Sequence, residues 1–236
     1  MKVPRSPWPE DFPPVVLHTN VKTRDAHPAY AAAKSGDAAA AYRLSQDLLS
    51  EDAVKKLRQI VSGRAFAWLP VHAEEVQGFN AIPIGFANAL ADILGGAVIR
   101  SVFQANIVAH TRADGFHRIA HQPVFSGSIS VSGDFIAVDD HFGMGGTLAN
   151  LRGHVMHLGR RIVAASTLTA SRGNDIIALQ AQTLAALKAK HGGEVESLVQ
   201  EEIGFGADCL TEPEAQYLIR AQKIDSIRER LAAAKS

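Results

Sequence analysis

Cysteine is nearly missing from this chain of 236 residues: Cys209 stands alone, so no internal disulfide can staple the fold and a buried core must hold it. Long apolar runs are missing too. Asp, His or Arg interrupts each hydrophobic stretch before it reaches the roughly 18 residues that span a bilayer, so no membrane segment is expected. An excess of either charge is also absent, since 24 Lys and Arg balance 24 Asp and Glu. Without a net field the chain is not expected to bind nucleic acid or an anionic lipid surface, and any selectivity for anions has to be local, which suits a small-molecule site. Lysine is absent between Lys56 and Lys188. That removes a Walker loop ending in Gly-Lys-Ser or Gly-Lys-Thr, and with it nucleoside triphosphatase chemistry, from the middle of the chain. The opening Met-Lys-Val-Pro-Arg-Ser-Pro-Trp-Pro is too rich in proline and too poor in apolar residues for a secretory leader, so a cytoplasmic location is expected.

What is present reads as one elaborated α/β domain with helical additions. Residues 1–28 carry six of the ten prolines and no strand or helix period, which predicts an extended arm over the surface. An alanine-rich run from Ala31 to Leu44 and a capped run from Ser50 predict two helices, closing an N-terminal segment of residues 1–60. From 61 to 172, short apolar runs alternate with helix-like segments: Ala65 to Val71, Pro83 to Leu94, Ala97 to Val102, Phe135 to Val138, Leu148 to Leu158 and Arg161 to Leu168. That alternation predicts βαβ units and a mostly parallel sheet flanked by helices. Residues 104–132 break the rhythm and predict a functional loop or hairpin. Residues 173–236 predict a helical extension, with helices at Ile176 to Lys190, Glu196 to Glu202 and Glu212 to Lys235.

The chemistry is expected at Phe135-Ile-Ala-Val-Asp-Asp-His-Phe-Gly-Met-Gly-Gly-Thr147: an apolar strand, an acidic pair, a glycine loop and a helix start. In an open parallel sheet, ligands lie beyond the carboxyl ends of the strands, where this order puts the acids and the loop. A glycine loop opening a helix offers unpaired N–H groups and the positive end of a dipole to a phosphate, and Thr147 adds a hydroxyl. Asp139 and Asp140 can accept from a sugar diol and help hold a divalent cation. A dinucleotide fingerprint fits less well, because the third glycine is missing at the required spacing and the acids precede the loop.

Asp139-Asp-His-Phe-Gly-Met-Gly-Gly-Thr147 resembles the phosphoribosyl pyrophosphate signature of type I phosphoribosyltransferases, and weaker resemblance extends over residues 64–170. The resemblance implies a type I phosphoribosyltransferase-like fold in which Asp139 and Asp140 hold the ribose hydroxyls, while Gly143, Met144, Gly145, Gly146 and Thr147 cradle the 5-phosphate. Gly143 and Met144 replace the small hydroxyl residues usual there. A pyrophosphate loop is implied at 72–83, starting with His72, Ala73 and Glu74, with Arg100 contributing to the same group. A catalytic loop over 104–127 would bring Arg112 and Arg118 to the leaving pyrophosphate.

The implied activity is transfer of phosphoribose from phosphoribosyl pyrophosphate to a nitrogenous acceptor with Mg²⁺, held in part by Asp139 and Asp140, and pyrophosphate as the other product. The alternative is a non-catalytic regulatory module of the same fold that binds phosphoribosyl pyrophosphate or a nucleotide. Residues 1–60 or the helices after Gly173 would form the hood over an acceptor that the sequence does not name, and a homodimer is the common state of such proteins. His117 and His121 have a metal-ligand spacing, but the remaining ligands of a zinc site are lacking.

Overall fold

The computed structural model describes residues 5–75, 78–106, 114–171 and 175–235, with the backbone alone at Glu74, Glu75 and Gly78. The arm leads into β1 (Val16–Leu17), followed by α1 (Val21–Asp25), α2 (Tyr30–Lys34), α3 (Ala38–Leu48) and α4 (Glu51–Val61). The alanine-rich run is therefore two helices, broken at Ser35-Gly36, after which Asp37 caps α3 by accepting from the Ala40 amide. Ser50 caps α4 in the same way.

The central portion is built from β2 (Phe66–Pro70), the hairpin β3 (Glu74–Glu75) and β4 (Gly78–Phe79), α5 (Ile82–Leu94) and β5 (Ala97–Val98). Then come β6 (Val102–Gln104), α6 (Gly115–Ala120), β7 (Phe125–Gly127), β8 (Asp134–Phe142), α7 (Gly146–His157) and β9 (Arg161–Ala170). The strand predicted over Ala97 to Val102 is thus divided, because Val102–Gln104 leaves the sheet to pair antiparallel with β7. The C-terminal helices are α8 (Ala181–His191), α9 (Glu194–Glu202), α10 (Glu212–Arg220) and α11 (Ile224–Lys235). The single helix predicted over 212–235 is broken near Ala221, and both halves face inward through Leu218 and Ile227.

Among the described residues, β1, β9, β8, β2 and β5 lie in that order in one sheet, and every pairing is parallel. One face packs on α2 to α5 through Trp68, Ile136, Val138 and Leu168. The other packs on α7 and the β6–β7 hairpin through Leu69, Phe135, Ala137 and Leu151. A third core joins α6 to the C-terminal helices around Phe116, Ile119, Leu198 and Leu218. In the insertion predicted as a loop or hairpin, β6 and β7 pair antiparallel and α6, which lies between them in the chain, docks against the C-terminal extension.

Topology locates the crevice. The chain crosses from β2 through α5 to one edge of the sheet, and from β8 through α7 toward the other edge, on the opposite face. Strand order therefore reverses between β2 and β8, and the loops after these two strands diverge and leave a cleft at their carboxyl ends. Among the described residues, no helix is long and apolar enough to cross a membrane.

Candidate functional site

β8 extends beyond the predicted Phe135 to Val138, because the polar residues that follow still pair with β9, Asp139 opposite Thr167 and His141 opposite Thr169. The acids are therefore inside a strand, and both are buried. Ile136 and Val138 face the α2–α5 layer while Phe135 and Ala137 face the α7 layer. The same alternation sends Asp140 to the first layer and Asp139 to the second. There Asp140 Oδ2 accepts from Lys34 Nζ of α2 at 3.0 Å and from Asn80 Nδ2 at 3.1 Å. Asn80 belongs to the loop after β2, so this bond crosses the cleft at the point where strand order reverses. Asp139 Oδ1 accepts from the Asp140 amide at 2.8 Å.

The two carboxyls are driven apart in acidity. Burial, reinforced by the neighbouring Asp140 charge, pushes Asp139 well above the usual carboxylate range. Burial acts in the same sense on Asp140, but the Lys34 ammonium, its hydrogen bond and that from Asn80 outweigh it and hold Asp140 below that range. The pair is thus split in acidity, with the more acidic Asp140 held by Lys34 and Asn80 on Oδ2.

As a cation site the pair offers two carboxyls, with Asp140 Oδ2 already accepting from Lys34 and Asn80. Among the described residues no group of three or more His, Cys, Asp or Glu side chains comes together, so a divalent cation held there would take its remaining ligands from substrate and water.

The glycine loop turns the chain from β8 into α7. Gly145 holds a left-handed conformation (φ 81°) at the N-cap, which a side chain would strain. The first helical hydrogen bond runs from the Ala149 amide to the Gly145 carbonyl at 2.9 Å. The amides of Gly146, Thr147 and Leu148 precede it, in the turn that has no helical acceptors. Gly143 lies against the Arg118 guanidinium, because a Cβ there would sit 3.0 Å from Nη1. Arg118, singled out in the sequence, is thereby beside the loop. Met144 is tethered from behind, its carbonyl accepting from Thr211 Oγ1 at the N-cap of α10 at 2.5 Å.

The other residues singled out are distributed more widely. His72 and Ala73 follow β2 on the opposite wall of the cleft, with the His72 ring edge-on to Phe79 at 5.0 Å. Buried His72 Nδ1 has no hydrogen-bond partner among the described residues. Glu74 starts β3 beyond them. Arg100 donates to Asn88 Oδ1 of α5 at 3.3 Å on the exposed side, with β2 and β5 between it and β8. It does not join the residues around the glycine loop. Arg112 lies outside the described residues. His117 and His121 stack ring on ring at 3.9 Å.

Three basic side chains, His141, Arg24 and Lys34, stand at the end of β8. His141 Nδ1 lies 2.8 Å from Thr169 Oγ1 and Nε2 3.0 Å from Ser171 Oγ. Arg24 of α1 donates to that same Thr169 hydroxyl at 2.9 Å and stacks over the Tyr30 ring. Burial depresses the His141 imidazole below its usual range, and the nearby Arg24, Arg118 and Lys34 charges act in the same direction. Arg24 and Lys34 come from the N-terminal segment named as a hood. Nothing periodic marks them, because each meets β8 or β9 across more than a hundred residues.

No protein-family profile matches the chain. Protein TraN of Escherichia coli is 40% identical over 232 residues, which are 98% of this chain and 52% of that protein. An uncharacterised protein of Haemophilus influenzae is 40% identical over 152 residues, 64% of this chain and 34% of the relative. The chain therefore spans about half of the first relative and a third of the second. Among solved structures, an adenine phosphoribosyltransferase shares 16% identity at a TM-score of 0.36, over 56% of this chain and 70% of its own.

Proposed function

We propose that the chain binds 5-phosphoribosyl 1-pyrophosphate in the cleft between β2 and β8, in a type I phosphoribosyltransferase-like fold, and transfers the phosphoribosyl group to a nitrogenous acceptor. The observation that carries this reading is the left-handed Gly145 turn, which opens α7 at the end of β8, just after the strand that carries Asp140. The amides of residues 146–148 and the Thr147 hydroxyl suit a 5-phosphate, since three donors and the helix dipole converge on an anion. Asp140 Oδ1 suits a ribose hydroxyl. Arg118 beside Gly143 suits charge that develops on departing pyrophosphate. Mg²⁺ belongs to this reading as bound together with the substrate, with Asp139 and Asp140 holding it in part and pyrophosphate oxygens and water supplying its other ligands.

What the chain's own side chains contribute is positioning and electrostatics rather than a covalent nucleophile. Asp140, fixed by Lys34 and Asn80, orients the sugar, while burial and the neighbouring Asp140 charge raise Asp139 above the usual carboxylate range and so disfavour a second negative charge near the phosphate. A second reading, a regulatory module that binds phosphoribosyl pyrophosphate or a nucleotide without turnover, is favoured by Met144. That residue stands where resemblance to the family calls for a small hydroxyl, and its side chain packs toward the C-terminal core.

A pyrophosphate-release screen over nucleobases and small amines separates the two. Release with one acceptor supports transfer. Saturable binding of phosphoribosyl pyrophosphate with no release for any acceptor supports the regulatory module, and absence of binding removes both.

A further inference from the structure

Arg5 lies in the proline-rich arm, yet its guanidinium is completely buried at the back of the glycine loop. Nη1 and Nη2 meet the two carboxylate oxygens of Glu214 at 2.7 and 3.0 Å, with side-chain exposures of 0% and 1%. Nε donates to Asn150 Oδ1 at 2.7 Å and Nη2 to Gln122 Oε1 at 2.6 Å, while Phe205 lies 4.3 Å beneath the guanidinium plane. Glu214 in turn accepts from the Thr211 amide at 2.9 Å, and Thr211 holds the Met144 carbonyl. One side chain thus ties the arm to α7, to the end of α6 and to α10. Its contact with the loop is direct as well: a Cβ on Gly146 would lie 2.9 Å from Glu214 Oε1 and 3.2 Å from Arg5 Nη2. The glycine at 146 is thereby explained by the ion pair behind it.

A second latch runs in the opposite sense. Arg152 of α7 donates to the Ser6 and Pro7 carbonyls, both at 2.9 Å, and stacks over Trp8 at 4.7 Å. The helix that carries the glycine loop at its start therefore grips the arm twice within its next turns, at Asn150 and Arg152.

From this geometry we infer that Arg5 is a positioning residue for the glycine loop, and that docking of the arm and binding of a phosphate-bearing ligand on the loop are linked. The physical reason is the cost of a stranded charge. Without the guanidinium, the Glu214 carboxylate stays buried against the Thr211 amide alone, and it must take up a proton or admit water. Either response loosens Thr211, and with it the hold on Met144, and removes the wall behind Gly146. By reciprocity, a ligand that favours the ordered loop favours the docked arm by the same factor. The ligand half of this inference rests on the proposed function; the positioning half does not.

Amide hydrogen exchange in the unliganded protein tests the positioning half with R5K and R5A. Lysine keeps the charge but loses the two-pronged fork. The expected result is exchange about tenfold faster at Ala149, Asn150 and Leu151, which close the first turn of α7, with Trp68 and Leu69 of β2 unchanged. Millimolar ethylguanidinium should restore slow exchange at α7 in R5A. Unchanged rates at 149–151, or the same acceleration in α7 and β2, overturn the inference, the latter because it marks global destabilisation alone.

For the linkage, phosphoribosyl pyrophosphate should slow exchange at Trp8 and Phe12 in the wild type and bind R5A at least about tenfold more weakly. Equal binding by wild type and R5A overturns the linkage while leaving the proposed function intact. A wild type that binds no phosphoribosyl pyrophosphate removes the proposed function and the linkage together, and the exchange rates of the unliganded variants still decide the role of Arg5.

Discussion

Lys34 Nζ lies 3.0 Å from Asp140 Oδ2 and joins α2 to the carboxyl end of β8 across 106 residues of sequence. This contact offsets the cost of burying an acidic pair in a strand, because the Lys34 ammonium and its hydrogen bond hold Asp140 below the usual carboxylate range. It also brings α2 against the carboxyl end of β8.

Lys34→Met should therefore cost about 1–3 kcal/mol at pH 7, the penalty for leaving a buried charged acceptor short of its main partner. The sign with pH follows from the depressed acidity of Asp140. The stabilisation by Lys34 is present above the unfolded carboxylate value of about 3.9 and is lost as pH falls through the lower folded value. Urea unfolding of wild type and variant at pH 7 and pH 3 should show the gap narrowing in acid; an equal gap at both would contradict this.

Asp139 has the opposite sign. Its raised folded value means that the native state keeps a proton the unfolded chain has released, so stability declines as pH rises from about 3.9 toward the folded value. Asp139→Asn, which mimics the neutral form, should gain stability over wild type at pH 7 relative to pH 4. Chemical denaturation at the two pH values checks it, and a variant less stable than wild type at pH 7 but not at pH 4 would reverse the assignment.

His18 supplies the main acid-sensitive core group among the described residues. Burial lowers its imidazole to about 4, while Ser50 N–H donates to Nδ1 and Ser166 Oγ lies 3.2 Å from Nε2. The unfolded chain binds a proton near 6.5 and the native state does not until about 4, so stability is lost as pH falls through that window, by about 3 kcal/mol in all. His18→Gln should flatten the thermal-midpoint profile between pH 6.5 and 4, even if it lowers the midpoint at pH 7. A variant with the wild-type slope would place the acid sensitivity elsewhere.

Gly146→Ala should be costly although it adds one methyl group inside a helix, where alanine is normally favoured. The new Cβ would press on the Arg5–Glu214 pair, and disturbing a buried ion pair costs about 3–5 kcal/mol when its partners separate. Thermal unfolding should show a large loss, whereas Gly193→Ala, with open space at the Cβ position, should change little. Equal effects at the two positions would remove the ion pair as the cause.

The sheet was largely legible in the sequence because its strands are buried on both faces and read as continuous apolar runs, as Phe135 to Val138 does. The glycine loop was legible because Gly145 is demanded by backbone geometry, and local geometry leaves a local mark. Where local pattern and tertiary contact disagreed, the sequence misled. β8 continues through Asp139 to Phe142 because Thr167 and Thr169 pair with it, and the alanine run divides where Ser35-Gly36 lets α3 fold back on α5. Partners of the site that lie far apart in the chain, Lys34 with Asp140 and Arg5 with Glu214, leave no period or motif at all. Arg100 faces Asn88 of α5 on the exposed side, a contact twelve residues apart that no local pattern marks.

The central claim is that residues 139–147 bind the phosphoribosyl end of phosphoribosyl pyrophosphate. Calorimetric titration of wild type, Thr147→Val, Asp140→Asn and Arg100→Ala with phosphoribosyl pyrophosphate and Mg²⁺ tests it most directly. The expected result is saturable binding by wild type and Arg100→Ala, weakened roughly 10- to 100-fold by Thr147→Val and Asp140→Asn through the loss of charged hydrogen bonds. No heat of binding with wild type, or equal affinity in all four proteins, would contradict it.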